Sequence, residues 1–326
     1  MTTRRMSCAA VARTNGDRMS DYDHAPLLGI PRIATGISHF LAEGPVWDPV
    51  RGRILWVDIM DGGVYSGRFA HGGAIDIDEK VQFPDTAGAI AVSQAGEWLV
   101  AGTERLYTRG IDGEITAGPD LISGAGRRFN DGKPDPAGRF VVGTKGPGDE
   151  QLIQVGADGT VTVLDDDLTL SNGLAWTKDG RTLYSIDTLC RRIHVRHYDP
   201  ITGETGERRV FLEVAEGYPD GMTIDSEDHL WVALWGEGCV IRISPAGDIV
   251  GRVDVPAPHT SCPVFAGPDL DTLVITTATE GMTPADLAAH PLSGRLFTVG
   301  TGHRGIHPNL WAGTIQPTEN PLEEYA

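Results

Sequence analysis

The sequence has little positive charge, few cysteines and no long apolar run, and each shortage excludes a class of protein. Of its 326 residues, 27 are Lys or Arg and 45 are Asp or Glu, so the formal net charge is −18. Because phosphate contacts need a basic surface, nucleic acid is not an expected partner, and an anionic membrane surface is disfavoured. No apolar run approaches the ~20 residues of a membrane-spanning helix. An acidic surface suits cation binding, and solubility alone explains it equally well.

The cysteines, Cys8, Cys190, Cys239 and Cys262, lie far apart in the chain and include no C-x-x-C pair. No histidine cluster accompanies them, so neither a disulfide framework nor a thiolate zinc site is expected. We therefore predict reduced, buried cysteines and a cytoplasmic protein. Patterns such as G-x-S-x-G, H-E-x-x-H, the P-loop and the EF-hand are also missing, so a serine-hydrolase or zincin mechanism has no support.

Long helical periodicity is nearly absent, and short apolar runs separated by Gly, Asp and Pro dominate, which is typical of an all-β fold. One unit recurs six times: a strand, a polar turn and a second strand, as in "MTIDSEDHLWVAL", followed by a third strand such as "VIRIS". The period is roughly 41 to 48 residues, which is the propeller range. We predict a six-bladed β-propeller with four-stranded antiparallel blades around a central channel. The first strands of the six units end at Trp47, Val92, Pro134, Trp176, Ile224 and Phe265.

Each blade is stable only when it is stacked on its neighbours, so the repeats predict one domain over residues 26–326. The segment from Pro31 to Phe40 is expected to supply the outer strand of the last blade. Residues 1–25 contain Arg4-Arg5 followed by "MSCAAVA". This apolar stretch is too short for an export signal and is broken by Arg13, so we predict a disordered leader there.

The repeat places one residue of each blade at the start of its innermost strand, where the six face one another at one end of the channel. Preference for turns explains Asn, Asp or Gly at a single position, but four equivalent oxygen-bearing side chains favour a site. Two carboxylates in a narrow channel repel each other, and a divalent cation removes that problem. Oxygen ligands suit Ca²⁺, Mg²⁺ or Mn²⁺, and carboxylates also accept Zn²⁺ or Fe²⁺. The six positions are Glu43, Gly88, Asn130, Asn172, Asp220 and Ser261.

Five motifs also carry a resemblance to a known family. They are "EGPVW" (43–47), "RFNDGKPDPAGRF" (128–140), "SNGLAW" (171–176), "PDGMTID" (219–225) and "TSCPVFAG" (260–267). With them the chain resembles the SMP-30/gluconolactonase/LRE family, also called the regucalcin family, over residues 37–299. The resemblance implies a six-bladed propeller that holds one divalent metal ion in its channel and hydrolyses a sugar (aldonic acid) lactone.

By this resemblance Glu43, Asn172 and Asp220 match the family's metal ligands, and Asp220 is also the candidate catalytic base. Arg128 matches a substrate-contacting arginine, and Asn130 matches a residue near the metal that contacts the substrate or a metal-bound water. One departure concerns "GTKGPGDE" (143–150), because sugar-lactonase relatives place a substrate-binding acid there and this chain has none near Gly146 or Pro147. A shifted loop that brings in Asp149 or Glu150 is one way to compensate.

The predicted function is hydrolysis of a small-molecule lactone by a monomer or weak dimer. The metal would polarise the lactone carbonyl and lower the pKa of bound water, while Arg128 steadies substrate hydroxyls or the developing oxyanion. Asp220 is a stronger candidate as ligand than as base, because a bound cation stabilises its ionised form. The alternatives are a phosphotriesterase-like hydrolase on the same metal and a regulatory metal-binding propeller without catalysis. Arg128 and open space at Gly88 favour a small-molecule pocket.

Overall fold

Short apolar strands joined by tight polar turns fold as hairpins, and the turn after Ile224 is an example. The Asp225 carboxylate accepts hydrogen bonds from the backbone N–H groups of Glu227 and His229, at 2.9 and 3.0 Å. Asp228 closes the turn with a φ of 59°, in the left-handed region that Asp tolerates. The turn at Asp225–Asp228 thus joins the two strands of the unit "MTIDSEDHLWVAL", and Asp220 and Gly221 lie inside the preceding strand.

The structure is a computed structural model that describes residues 22–313. In that range the chain forms six four-stranded antiparallel sheets arranged as a six-bladed β-propeller, which confirms the predicted fold class. Blade one consists of β2 (Ala42–Asp48), β3 (Arg53–Asp58), β4 (Gly63–Phe69) and β5 (Ile75–Gln82). Blade two consists of β6 (Ala89–Val92), β7 (Trp98–Ala101), β8 (Arg105–Arg109) and β9 (Ile115–Asp120).

The next three blades have the same order, with the innermost strand first. Blade three consists of β10 (Arg128–Pro134), β11 (Phe140–Lys145), β12 (Glu150–Val155) and β13 (Val161–Leu168). Blade four consists of β14 (Ser171–Trp176), β15 (Thr182–Asp187), β16 (Arg192–His197) and β17 (Arg209–Glu213). Blade five consists of β18 (Tyr218–Ile224), β19 (Leu230–Trp235), β20 (Cys239–Ile243) and β21 (Ile249–Asp254).

Blade six closes the ring with strands from both ends of the described chain. It consists of β22 (Thr260–Ala266), β23 (Thr272–Thr277), β24 (Phe297–Gly300) and β1 (Arg32–Ile33). The outer strand β1 pairs with β24 through Arg32 opposite Thr298, within the segment predicted to supply it. The inner strand of each blade contacts the inner strands of its two neighbours, so the ring is continuous.

The hydrophobic core lies between the blades. Trp231 of blade five and Phe265 of blade six are buried, with ring centroids 5.4 Å apart at 90°. Trp56 in blade one is fully buried and stacks on Tyr65 at 5.6 Å. Because apolar burial joins neighbouring blades rather than filling the axis, polar residues at the axis remain available for a site.

Five of the six inner strands carry a bulge near their starts, and β6 of blade two pairs regularly. The pairing register shifts between Glu43 and Val46, and between Asn172 and Leu174. Corresponding shifts follow Phe129, Pro219 and Thr260 in blades three, five and six. A bulge bends the strand and re-aims a side chain. The bulges therefore fall at the positions that the sequence assigned to the channel ring.

Two glycines permit the inner strands to approach closely. A Cβ at Gly88 would lie 2.6 Å from the Asn130 carbonyl oxygen. A Cβ at Gly221 would lie 2.3 Å from Cys262 Sγ and 2.8 Å from Cys262 Cα. The expectation of open space at Gly88 was therefore wrong, because the backbone of blade three fills it.

The ends of the chain are described in part. Residues 1–21 of the predicted leader lie outside the described residues, as do residues 314–326 of the predicted propeller domain. Tyr22 to Ala25, which the prediction assigned to the leader, instead form a turn in which Ala25 N donates to the Tyr22 carbonyl oxygen at 3.0 Å. The Tyr22 ring is buried, and its hydroxyl donates to Glu237 at 2.8 Å.

The cysteines agree only in part with the expectation of reduced, buried thiols. Cys239 and Cys262 are free and buried, and burial raises the pKa of Cys239 to about 12. Cys190 is disulfide-bonded, so the prediction was wrong for this residue. Cys190 lies half-buried in the turn between β15 and β16, outside the core, and no C-x-x-C spacing marks it. Cys8 lies outside the described residues.

Helical structure between residues 22 and 313 is confined to a 3₁₀ turn (His71–Gly73) and to α1 (Pro284–Ala289). Thr283 caps α1 and exchanges hydrogen bonds with Asp286 in a capping box. None of the helical segments in this range has the length and apolar character that crossing a membrane requires.

The close approach at Gly221 predicts a cost for any larger residue there. Gly221→Ala is expected to lower the free energy of unfolding by about 1–3 kcal/mol, because the added methyl group overlaps Cys262 in blade six. Urea denaturation measures the change. The control is Gly300→Ala, where a Cβ meets nothing within 4 Å. Equal stability of the two variants would contradict this explanation.

Candidate functional site

A cavity of about 260 Å³ opens at the end of the channel where the inner strands begin. Glu43, Asn130, Asn172 and Asp220 all line it, and each is at least 93% buried. The outer part of the wall is largely apolar and includes Leu41, Ile59, Leu189 and Trp235. A concave cavity with a partly apolar wall and a few convergent polar groups is the usual form of a small-molecule site.

Two of the six predicted ring positions do not reach this cavity. Gly88 is covered by the backbone of blade three, as described above. Ser261 is fully buried, and its hydroxyl donates to the Ala42 carbonyl oxygen at 2.6 Å and shares a hydrogen bond with Thr276 at 2.8 Å. Ser261 therefore joins blade six to blade one and is a structural residue.

The carboxylates of Glu43 and Asp220 are held in an unfavourable environment for negative charge. Burial raises the pKa of Glu43 well above its usual range, and the nearby charges of Asp220 and Asp131 raise it further. Burial likewise raises the pKa of Asp220, with Asp131 as the next cause. Glu43 Oε2 accepts a hydrogen bond from the backbone N of the next residue, Gly44, at 2.7 Å. The site therefore favours a cation that would offset these charges.

Asn172 is oriented by a short hydrogen-bond network. Its amide nitrogen donates to Thr188 Oγ1 at 3.1 Å and to Asp220 Oδ1. Thr188 in turn donates to the Pro219 carbonyl oxygen at 2.8 Å. Because both donors of the amide nitrogen are used, the Asn172 side-chain oxygen remains as an acceptor.

Arg128 and Asn130 form a second network on the same cavity wall. Arg128 Nη1 donates to the Phe129 carbonyl oxygen at 2.7 Å and to Asn130 Oδ1 at 2.8 Å. Asn130 Nδ2 donates to the Ser171 carbonyl oxygen at 3.0 Å. Burial lowers the pKa of Arg128, and the charges of Glu280, Glu43 and Asp220 oppose that change. The hydrogen bonds of Nη1 thus hold the guanidinium in place, and its Nη2 and Nε remain available as donors.

Asp131 is a third buried carboxylate that the sequence reasoning did not assign. Its Oδ1 accepts from Gly132 N at 2.7 Å, and Oδ2 has no hydrogen-bond partner among residues 22–313. Burial raises its pKa, whereas Lys133 lowers it. Lys133 Nζ donates to the Met222 carbonyl oxygen across the channel. The signal was present in "NDGK", because the residue after a ring position at a bulge can also face the axis.

The side chains of Glu43, Asn172 and Asp220 fit a divalent cation. Within the described chain, no hydrogen-bond donor reaches Glu43 Oε1, Asn172 Oδ1 or Asp220 Oδ2. Two carboxylate oxygens and an amide oxygen form a donor set that hard cations accept. The buried negative charge supplies the reason for a cation at this position.

A second acidic cluster has a different explanation. The ligand atoms of Asp225, Glu227 and His229 lie within 4.8 Å of one another. Asp225 Oδ2, however, accepts hydrogen bonds from Arg242 Nε at 2.8 Å and Trp231 Nε1 at 3.0 Å. Arg242 Nη2 also contacts Glu227 at 2.7 Å. The Arg242 guanidinium already supplies the positive charge, so the cluster is a structural ion pair at the β18–β19 hairpin.

The loop after Lys145 brings no carboxylate into the cavity in place of the acid that the family resemblance implies there. Glu150 is fully buried and accepts hydrogen bonds from Thr144 Oγ1 at 2.6 Å and Arg127 Nε at 3.1 Å. Asp149 is exposed in the turn with a φ of 51°. Neither lines the cavity; Lys145 and Glu280 do. Sequence reasoning missed both of these, since neither belongs to a motif.

Comparisons with known proteins give the family. A family model described as the SMP-30/Gluconolactonase/LRE-like region matches residues 41–279. Pentonolactonase XacC of Haloferax volcanii is 37% identical over 244 residues, which are 73% of this chain and 81% of that protein. Regucalcin of Danio rerio is 36% identical over 287 residues, which are 84% of this chain and 95% of that protein.

A solved structure extends the similarity to three dimensions. The calcium-binding protein regucalcin from Agrobacterium tumefaciens strain C58 has a TM-score of 0.81 and 31% identity, and the match covers 88% of this chain and 98% of that one. These relatives confirm the predicted resemblance, and the lactonase among them agrees with the prediction of a lactone-hydrolysing enzyme. The family match covers all four ring residues that line the cavity, and the chain belongs to the SMP-30/gluconolactonase/LRE-like family.

Proposed function

We propose that this chain is a metal-dependent hydrolase that opens the ring of a small-molecule sugar lactone. The observation that carries the proposal is the convergence of two buried carboxylates and an amide oxygen at the deep end of a cavity, with Arg128 on the same wall. The pentonolactonase among the relatives supports a sugar lactone as the substrate class. A regulatory metal-binding role explains the carboxylates but leaves the Arg128 donors and the cavity without a purpose.

Glu43, Asn172 and Asp220 would hold the cation. When bound, a divalent cation polarises a carbonyl group and lowers the pKa of water. The relative named as a calcium-binding protein supports a divalent cation, and Ca²⁺, Mg²⁺, Mn²⁺, Zn²⁺ and Fe²⁺ are the candidates. Thr188 fixes the amide orientation that leaves the Asn172 oxygen facing the cavity.

Arg128 would bind the reacting end of the lactone. Its Nη2 and Nε make no hydrogen bond within residues 22–313, so they can donate to the carbonyl oxygen as negative charge develops there. Asn130 would act mainly on Arg128, because its side-chain oxygen accepts from Nη1 and holds the guanidinium in place. The remaining N–H of Asn130 can donate to the substrate or to water.

Asp220 would have two roles. Its Oδ1 accepts from Asn172, and Oδ2 is free to bind the cation or to accept the proton of the attacking water. That proton would then pass to the ring oxygen as the ester bond breaks, which completes the opening to a hydroxy acid. The ligand role is the stronger of the two, because a cation bound to a carboxylate lowers its basicity.

The predicted cytoplasmic location and the monomeric or weakly dimeric state remain part of this proposal. The free thiols of Cys239 and Cys262 suit a reducing compartment. The disulfide bond at Cys190 is more typical of an oxidising one. Thiol trapping of Cys190 in intact cells distinguishes the two compartments.

The first test of the proposal is metal binding. A cation at 100 times its dissociation constant stabilises the protein by about 2.7 kcal/mol, so the Tm of the metal-free protein should rise by several degrees on addition of the native metal. Glu43→Gln and Asp220→Asn should lose most of that rise. Asp61→Asn, which changes a half-exposed carboxylate paired with Lys80, is the matched control. If none of the five cations raises the Tm, the metal site is wrong.

The second test is lactone opening by Asp220 variants at saturating metal. Asp220→Ala should lower kcat/KM by at least about 10²-fold, because it removes a ligand and a candidate base. Asp220→Asn keeps the side-chain shape but removes the negative charge, so its metal content and its rate at saturating metal together separate the two roles. Full turnover by Asp220→Ala would exclude both roles. Phosphotriesters assayed in parallel test the alternative hydrolase.

The third test concerns Arg128. Arg128→Met keeps the apolar stem and removes the donors, and we expect a loss of about 10²-fold in kcat/KM on a sugar lactone, seen mainly in kcat. Metal binding should persist, since Arg128 is not a ligand. Arg192→Met, which alters an arginine of β16 that pairs with Glu213 outside the cavity, provides the comparison. An increase in KM with kcat unchanged would show that Arg128 only binds the substrate.

A further inference from the structure

Lys145 and Glu280 are charged residues in the cavity wall that the proposed chemistry does not use. Besides Glu43, Asp220 and Arg128, they are the only charged side chains among the described residues that line the cavity. Lys145 is the last residue of β11 in blade three, and Glu280 follows β23 in blade six. Blades three and six are opposite each other in a ring of six, so the two side chains reach across the cavity mouth.

The backbones that carry this pair are fixed. Lys145 is paired with Arg128 in the β10–β11 ladder. Glu280 N donates to the Phe40 carbonyl oxygen at 2.9 Å, which ties it to the start of blade one. The two side chains are therefore presented to the cavity by rigid elements rather than by a free loop.

The pair contributes little to the fold. Lys145 Nζ and Glu280 Oε2 are 3.9 Å apart, which exceeds a hydrogen bond, and the side chains are 38% and 30% exposed. Ion pairs with this exposure are worth about 0–1 kcal/mol. Neither side chain makes a hydrogen bond within residues 22–313, so the ammonium keeps three donors and the carboxylate keeps its acceptors. Their hydrogen-bonding capacity is directed at the cavity.

We infer that Lys145 and Glu280 form a specificity clamp that binds two neighbouring hydroxyl groups of the lactone. This inference rests on the proposed function and names the substrate class. Adjacent sugar hydroxyls suit the pair, because one donates to the Glu280 carboxylate while the oxygen of the other accepts from Lys145. The clamp also supplies a carboxylate from blade six to a cavity that neither Asp149 nor Glu150 lines.

The charges and the apolar wall define the substrate further. Glu280 balances the charge of Lys145, so the mouth offers no excess positive charge to a carboxylate or phosphate on the substrate. Leu41, Ile59 and Trp235 line the same cavity and can pack against the C–H face of a sugar ring. The substrate is therefore an uncharged lactone with at least two vicinal free hydroxyls, and plain aliphatic lactones and phosphotriesters are poor substrates.

The test compares lactones of equal ring size with and without hydroxyls. Wild type, Lys145→Met and Glu280→Gln are assayed on D-glucono-δ-lactone against δ-valerolactone, and on D-xylono-γ-lactone against γ-butyrolactone. We expect the ratio of kcat/KM for the sugar lactone to that for the plain lactone to fall at least about 10-fold in each variant. The change should appear mainly as a higher KM for the sugar lactone, because the hydroxyls are bound in both ground and transition states.

Two further variants separate contact from charge. The double variant Lys145→Glu with Glu280→Lys keeps the net charge of the cavity and exchanges the positions of the two charges. Its ratio of kcat/KM for the sugar lactone to that for the plain lactone should therefore fall as in the single variants. Lys80→Met and Asp61→Asn alter an ion pair of 2.8 Å and similar exposure outside the cavity, and they should keep the wild-type ratio. Wild-type ratios in both cavity variants, or in the charge exchange, would overturn the clamp.

A binding measurement makes the clamp testable without turnover. D-Glucono-δ-lactam keeps the ring and hydroxyls but resists hydrolysis, and δ-valerolactam lacks the hydroxyls. Calorimetry of metal-loaded protein should show that wild type prefers the hydroxylated lactam and that Lys145→Met and Glu280→Gln reduce this preference at least about 10-fold. Preference for the hydroxylated lactam without activity on any lactone would refute the proposed function and keep the clamp. No preference in wild type would refute the clamp.

Discussion

The burial of like charges at the propeller axis is the constraint on which the site depends. Glu43 and Asp220 come from blades one and five, and Asp131 from blade three adds a third buried carboxylate nearby. Burial raises the pKa of all three carboxyl groups. Repulsion by the neighbouring carboxylates raises the pKa of Glu43 and Asp220 further. Lys133 is the lysine of the inner strands that lies among them, and it offsets only part of this charge. A cation would offset the charge of this cluster, and Glu43 Oε1, Asn172 Oδ1 and Asp220 Oδ2 accept no hydrogen bond among the described residues.

The backbone makes this cluster possible through bulges and close-packed glycines. A regular strand alternates its side chains, so a ring residue and its neighbour would face opposite ways. The bulge at Asn130 and Asp131 changes that alternation in blade three. Gly221 and Gly88 let neighbouring inner strands approach closely, which narrows the axis and brings the carboxylates together. The same narrow axis turns Ser261 into a link between blades rather than a cavity residue.

Chemistry and specificity come from different parts of the blades. The residues proposed to hold the cation and the reacting ester lie on or beside the inner strands, where neighbouring blades hold their positions. Lys145 lies at the end of a second strand, and Glu280 lies just beyond one. Such positions lie outside the inner strands that carry the carboxylate cluster, and variation there is one way in which a common fold can serve different substrates. Neither Asp149 nor Glu150 lines the cavity, whereas the opposing Lys145–Glu280 pair does, which fits this division.

The repeat period was enough to derive the fold, the closure of blade six and four cavity residues. A constant period fixes the strand register, and register fixes which residues begin each inner strand; Glu43, Asn130, Asn172 and Asp220 followed from it. The period could not show that Gly88 and Ser261 do not line the cavity, because that depends on how closely neighbouring blades pack. The repeat period also could not predict the disulfide bond at Cys190, because no cysteine spacing in the sequence indicates it.

The sequence by itself determined that six similar hairpin units stack around an axis with acids and amides at one end, because strand periodicity and equivalent positions are local properties. Only the tertiary structure decided which side chains meet across that axis. Lys145 and Glu280 are 135 residues apart and share no motif, and they face each other because blades three and six lie on opposite sides of a closed ring. Asp131 likewise joins the charge cluster because of the bulge in β10. That bulge is a register shift in the pairing with β11, so it depends on the neighbouring strand and not on the local sequence alone.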